Sequence, residues 1–148
     1  MGYRSTVAYT IRFTPKYENK DSMTDEMISK AKASFYTFLA EAKVKHSGAF
    51  AKEFGVKVDE PNMAINFFAE YVKWYEDYDD VKVHEGLLQL ARSWAEDGDE
   101  KNGVAGNTHI GGMFMRIGEE VDDVDESYFG EYDWEWMQLS RQIIVDWA

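Results

Sequence analysis

Tyr3-Arg4-Ser5-Thr6-Val7-Ala8-Tyr9-Thr10-Ile11-Arg12-Phe13 alternates in side-chain character. Tyr3, Val7, Tyr9, Ile11 and Phe13 fall on one face with Ser5 among them, and Arg4, Thr6, Thr10 and Arg12 fall on the other. Successive strand residues point to opposite faces, so this pattern predicts a half-buried β-strand. Thr14-Pro15 ends it, because proline cannot donate to a ladder.

Farther along the chain, Ser22 offers a helix N-cap, with Asp25 and Glu26 in the first turn. Met23, Met27, Ile28, Ala31, Phe35, Phe38, Leu39 and Ala42 follow at helical spacing. Ala49, Phe50 and Phe54 suggest a short helical continuation stopped by Gly55. After the break at Glu60-Pro61-Asn62, Met63 to Tyr75 is apolar at both parities, as in a central strand covered on two sides, with a helix as the alternative because the run is long. Asp79 or Asp80 caps the next helix, which carries Val81, His84, Leu87, Leu88, Ala91, Trp94 and Ala95 on one face. Gly98 to Gly112 reads as a glycine-rich loop and Gly112 to Gly118 as a strand. Glu131-Tyr132-Asp133-Trp134-Glu135-Trp136 alternates acid and ring, the pattern of a strand with three carboxylates on one face. From Met137 to Trp147 the apolar phase moves to odd positions, so a bulge or a new element begins near Trp136, with strand favoured over helix. The expected architecture is a single α+β domain over 1–148: a mainly antiparallel sheet with two main helices packed on one face. Tyr3–Phe13, Met63–Tyr75 and Met113–Ile117 should share that sheet, with Phe35, Leu39, Ile65, Phe67, Leu88 and Trp94 in the core.

Charge is unevenly distributed along this chain. Residues 1–57 hold 10 Lys/Arg and 6 Asp/Glu, a balance of +4, whereas residues 58–148 hold 6 and 22, a balance of −16. Glu119, Glu120, Asp122, Asp123, Asp125, Glu126, Glu131, Asp133 and Glu135 lie in one stretch without a base. Such a field repels nucleic acid and draws basic surfaces. Aromatic content of 16% argues for a folded domain in spite of the net charge of −12. No cysteine is present, so disulfides and thiolate metal sites are excluded. With no apolar leader or spanning run in the sequence, the expectation is a soluble cytoplasmic protein with no membrane partner.

The residues offer little chemistry. His46, His84 and His109 are scattered, and His84 on a helix reads as a surface or boundary residue. Gly103, Gly106, Gly111 and Gly112 fit no phosphate-binding pattern. Asp97 to Thr108 fails as a calcium loop, since Asn102 stands where glycine is needed and Thr108 where glutamate is needed. Glu70, between Ala69 and Tyr71, is the one acid that looks forced inward, although an ion pair or an exposed edge is the simpler reading. No catalytic residue, cofactor or metal is expected. What remains is a patch of acids mixed with Tyr128, Tyr132, Trp134 and Trp136, an arrangement typical of interaction surfaces.

Met1-Gly2-Tyr3-Arg4-Ser5, Val72-Lys73-Trp74-Tyr75-Glu76-Asp77, Arg116-Ile117-Gly118-Glu119 and Ser140-Arg141 resemble recurrent stretches of small tailed-phage accessory proteins. That resemblance implies a protein acting in the host cytoplasm, where such proteins often inhibit host machinery. It supplies no catalytic residue. The combined expectation is a non-enzymatic acidic protein binding a basic surface of a host factor, with nucleic-acid mimicry as one form of the inhibition. Strand carboxylates two residues apart are roughly 6.6 Å apart, against about 3.4 Å between phosphates of one DNA strand, so the imitation would be loose. The expected contact residues are Glu119, Glu120, Asp122, Asp123, Asp125, Glu126, Tyr128, Glu131, Asp133, Trp134 and Glu135. The alternatives are a small-ligand-binding protein or enzyme of unknown class, and an acidic domain with no charge-driven partner, its acids serving solubility alone.

Overall fold

The computed structural model describes residues 2–15, 24–97, 108–139 and 143–147. Strand β1 (Ser5–Pro15) is the centre of a five-stranded antiparallel sheet. On one side it pairs with β3 (Ala64–Val72), whose outer neighbour is the short β2 (Lys57–Asp59). On the other side it pairs with β4 (Thr108–Ile117), which carries β5 (Val124–Gly130) at the edge. The three strands expected to share a sheet do so. β4 begins at Thr108, earlier than the Gly112 start that the sequence predicts, and its first residues pair with the end of β1. The rest of the glycine-rich stretch, 98–107, lies outside the described residues.

Helices α1 (Asp25–Lys45) and α2 (Asp79–Asp97) lie on one face of the sheet. The α1 cap is Thr24, whose hydroxyl accepts from the Met27 N–H. Ser22, the expected cap, lies outside the described residues, as does Met23. Between α1 and β2 the short helical continuation is a 3₁₀ turn over Ser47–Phe50, which ends before the Gly55 stop that the sequence suggests. Phe35, Leu39, Ile65, Phe67, Leu88 and Trp94 are all buried in the core formed by the helices and the odd-numbered residues of β1. Aromatic edges meet faces in this layer at Phe13 against Phe35 and Phe38 against Trp94.

The second face of the sheet is also covered, which corrects the half-buried reading of β1. Strands β6 (Met137–Leu139) and β7 (Ile143–Val145) form a small antiparallel ribbon there. Met137 and Ile143 pack with Ala8, Met113 and Met115 in a second apolar layer. Thr10 is fully buried on this face and donates to the Asn66 Oδ1 at 2.6 Å. Arg12 holds the ribbon, with its guanidinium paired to Asp146 at 2.7 Å and lying 4.9 Å from the centre of the Trp136 ring.

β3 carries a device that explains its apolar residues at both parities. Val7 pairs with Ala69 but Ser5 pairs with Val72, so β3 holds one extra residue. Tyr71 takes it up in a left-handed conformation, φ 57°, with its side chain 72% exposed. The bulge shifts phase, so that Val72 and Trp74 join Phe67 and Ala69 on the helix side. Glu70, beside the bulge, is exposed rather than forced inward.

Candidate functional site

The acidic stretch is not one continuous element. It divides between the turn joining β4 to β5 and the loop that follows β5, with part of β5 between them.

At the turn, Gly118 N–H donates to the Asp123 carbonyl at 2.8 Å and folds 118–123 back on itself. A side chain at Gly118 would collide with the Asp123 carboxylate and the Tyr3 hydroxyl. This close packing brings together groups far apart in sequence. Arg116 of β4 binds Asp123 at 2.5 Å and Asp125 at 2.8 Å, and donates to Ser5 Oγ at 3.0 Å. The Tyr3 hydroxyl donates to Asp123 at 2.6 Å and accepts from the Glu120 N–H. Arg4 N–H donates to Glu119 at 2.6 Å. Tyr3 itself precedes β1 and does not join the core face, unlike the sequence expectation. Hydrogen bonds from Arg116, then from Tyr3, hold the Asp123 carboxyl below its ordinary value. The same contact with Asp123 raises the Tyr3 hydroxyl.

The expected contact residues therefore separate by role. Asp123 and Asp125 neutralise Arg116, and Glu119 accepts a backbone hydrogen bond. Glu120, Asp122 and Glu126 are exposed and form no ion pair among the described residues. The base missing from the stretch itself stands just before it, on the neighbouring strand. Arg116 opposite Asp125 is the signal that could have revealed the pair, once the β4–β5 register is known.

The loop after β5 begins at Gly130, φ 62°, where a turn leaves the sheet. Residues 131–136 form turns and not a strand, which corrects the strand reading of the alternating acids and rings. Asp133 accepts from the Glu135 N–H at 2.9 Å, and the Trp136 N–H donates to the Asp133 carbonyl. Tyr128, Tyr132 and Trp134 gather into a triad with ring centres 4.9–5.1 Å apart. Trp134 stays 62% exposed, and Glu131, Asp133 and Glu135 around it are exposed. Burial, then Glu126, raises the Tyr128 hydroxyl.

His84 corrects a further expectation. It is fully buried, donating from Nε2 to the Phe54 carbonyl at 2.7 Å and accepting at Nδ1 from the Tyr9 hydroxyl at 2.6 Å. Phe54, Phe67 and Trp74 enclose the ring. Both nitrogens are committed inside the core, so this histidine is a structural element. Among the described residues, no group of three or more His, Asp or Glu side chains is placed to hold a metal ion. No helix among them is long and apolar enough to cross a membrane.

These features define an acidic α+β protein with a two-sided sheet and an exposed, acid-flanked aromatic loop. No protein-family model, curated protein or solved structure matches the chain.

Proposed function

We propose that this chain is a non-enzymatic interaction protein that binds a basic surface of another protein, in the manner of a small phage accessory protein acting on a host factor. The observation that carries the reading is the loop after β5. Trp134 stands exposed beside Glu131, Asp133 and Glu135, which are exposed and form no ion pair among the described residues, and an aromatic anchor flanked by charge is what a partner surface needs. The net charge of −12 adds long-range steering toward a basic partner.

The nucleic-acid mimic is the weaker form of this proposal. It needs a regular strand row at Glu131, Asp133 and Glu135, and those residues lie outside any strand. A protein surface with a pocket for Trp134 and basic residues around it fits the loop better.

The test is affinity capture from a host extract with wild type and with a variant carrying Glu131→Gln, Asp133→Asn, Trp134→Ala and Glu135→Gln. The expected result is a partner retained by wild type and lost by the variant. Its association rate should fall steeply between low and moderate salt. Capture that is indifferent to both salt and the variant would overturn the reading.

A further inference from the structure

We propose that the cleft between the start of α2 and the β4–β5 pair receives an arginine side chain of the basic partner. This inference rests on the reading of the chain as a binder of basic surfaces and adds a second contact point to it. The cleft has a volume of about 440 Å³, at the small end of the range for ligand pockets. Its walls include Trp74 and Phe114, with ring centres 6.2 Å apart at 39°. Glu76 and Glu85 stand at the same cleft. Neither has an ion-pair partner among the described residues, and both are exposed.

Charge complementarity selects the occupant. Arg116, the guanidinium at the cleft, is already taken up by Asp123 and Asp125. Arg92, in the continuation of the groove, donates to Ser127 and lies over the Phe129 ring. Partial burial of its carboxyl, then the like charge of nearby Glu76, raises Glu85. An incoming cation would offset that like charge. Aromatic faces next to carboxylates suit a guanidinium above an ammonium, because it stacks on rings and offers a planar fork of donors.

The test is an NMR titration with acetyl-Ala-Arg-Ala-amide and its lysine and citrulline counterparts. Wild type, Glu76→Gln/Glu85→Gln and Trp134→Ala would be compared, each with its thermal melt recorded. The arginine peptide should shift the Trp74 indole N–H and the amides around Glu85, and the neutral citrulline peptide should not. The double variant should bind about tenfold more weakly, as expected for the loss of two solvent-screened charge contacts. Trp134→Ala should bind the peptide as wild type does. Lysine or citrulline binding equal to arginine would overturn the proposal, as would shifts elsewhere on the protein or indifference to the double variant. A salt-sensitive partner captured by wild type, with no peptide in the cleft, would overturn this inference and leave the aromatic loop standing. Arginine binding in the cleft without any captured partner would support the cleft and overturn the broader reading.

Discussion

Tyr9, His84 and the Phe54 carbonyl form a buried chain of hydrogen bonds, and its polarity fixes the proton positions. A carbonyl only accepts, so Nε2 of His84 carries the hydrogen and Nδ1 receives the Tyr9 proton. Protonating Nδ1 would place a charge in an aromatic enclosure and turn the Tyr9 hydroxyl away from its acceptor. Burial accordingly lowers the His84 pKa from 6.5, against the Phe54 carbonyl and Asp80, which favour the proton. Below the ordinary value the unfolded chain binds a proton that the folded chain does not. Stability therefore falls as pH falls, until the lower folded value is reached, by up to about 1.4 kcal/mol per pH unit for one proton. His46 is shifted in the same direction by burial and by Lys45. Urea unfolding of wild type and His84→Gln separates the two histidines. The wild-type advantage should narrow from neutral pH to about pH 5.5, and a constant gap would contradict this account.

At the scale of elements, β3 depends on one strained residue. Tyr71 adopts φ 57°, a conformation that costs an L-residue roughly 1–2 kcal/mol but that asparagine tolerates well. The strain is offset by what the bulge achieves, since Val72 and Trp74 then face the helices. Arg4 lies 5.5 Å from the Tyr71 ring centre, a surface contact of small worth. Tyr71→Asn should therefore be more stable than Tyr71→Val by about 1 kcal/mol in denaturant melts. Equal stabilities would mean that the bulge relaxes when the side chain changes. α1 and α2 hold no comparable device. Their apolar faces follow a 3.6-residue repeat, and packing on β1 and β4 suffices to place them.

Across the whole molecule, the sheet separates two apolar layers of unequal size. The helix layer holds most of the large buried rings, and the ribbon layer rests on Ala8 and a few Met and Ile side chains. Among the described residues three of each ribbon strand pair, and Arg12 adds to the attachment through Asp146, Trp136 and Trp147. Arg12→Ala should speed hydrogen exchange of the β6 and β7 amides while those of β1 and β4 stay protected. Uniform loss of protection across both layers would show that the ribbon and the main sheet open as one unit. Substitution of the acids also divides by place. Neutralising Asp123 and Asp125 strips Arg116 of its ion-pair partners, whereas neutralising Asp122 removes only exposed negative charge.

Periodicity is a local property that each segment carries within itself, and it was enough to reveal β1 as a strand, both helices and the α+β class, but not that β1 is central and covered on two sides. It also identified core positions such as Phe35 and Trp94, and the strand character of Met137–Leu139 and Ile143–Val145. β2 escaped notice because three residues are too few to show a period. The strand reading of 131–136 failed because Gly130 turns the chain out of the sheet, and alternation alone does not report a turn. Which acids are free and which are spent on a partner is a matter of long-range contact, settled only by folding. Tyr3 meets Asp123 across 120 positions and Arg4 meets Glu119 across 115, contacts that arise when β1, β4 and β5 lie side by side. The cleft between Trp74 and Glu85 was invisible for the same reason: its walls come from a strand end, a helix and a sheet edge that converge only in the folded chain.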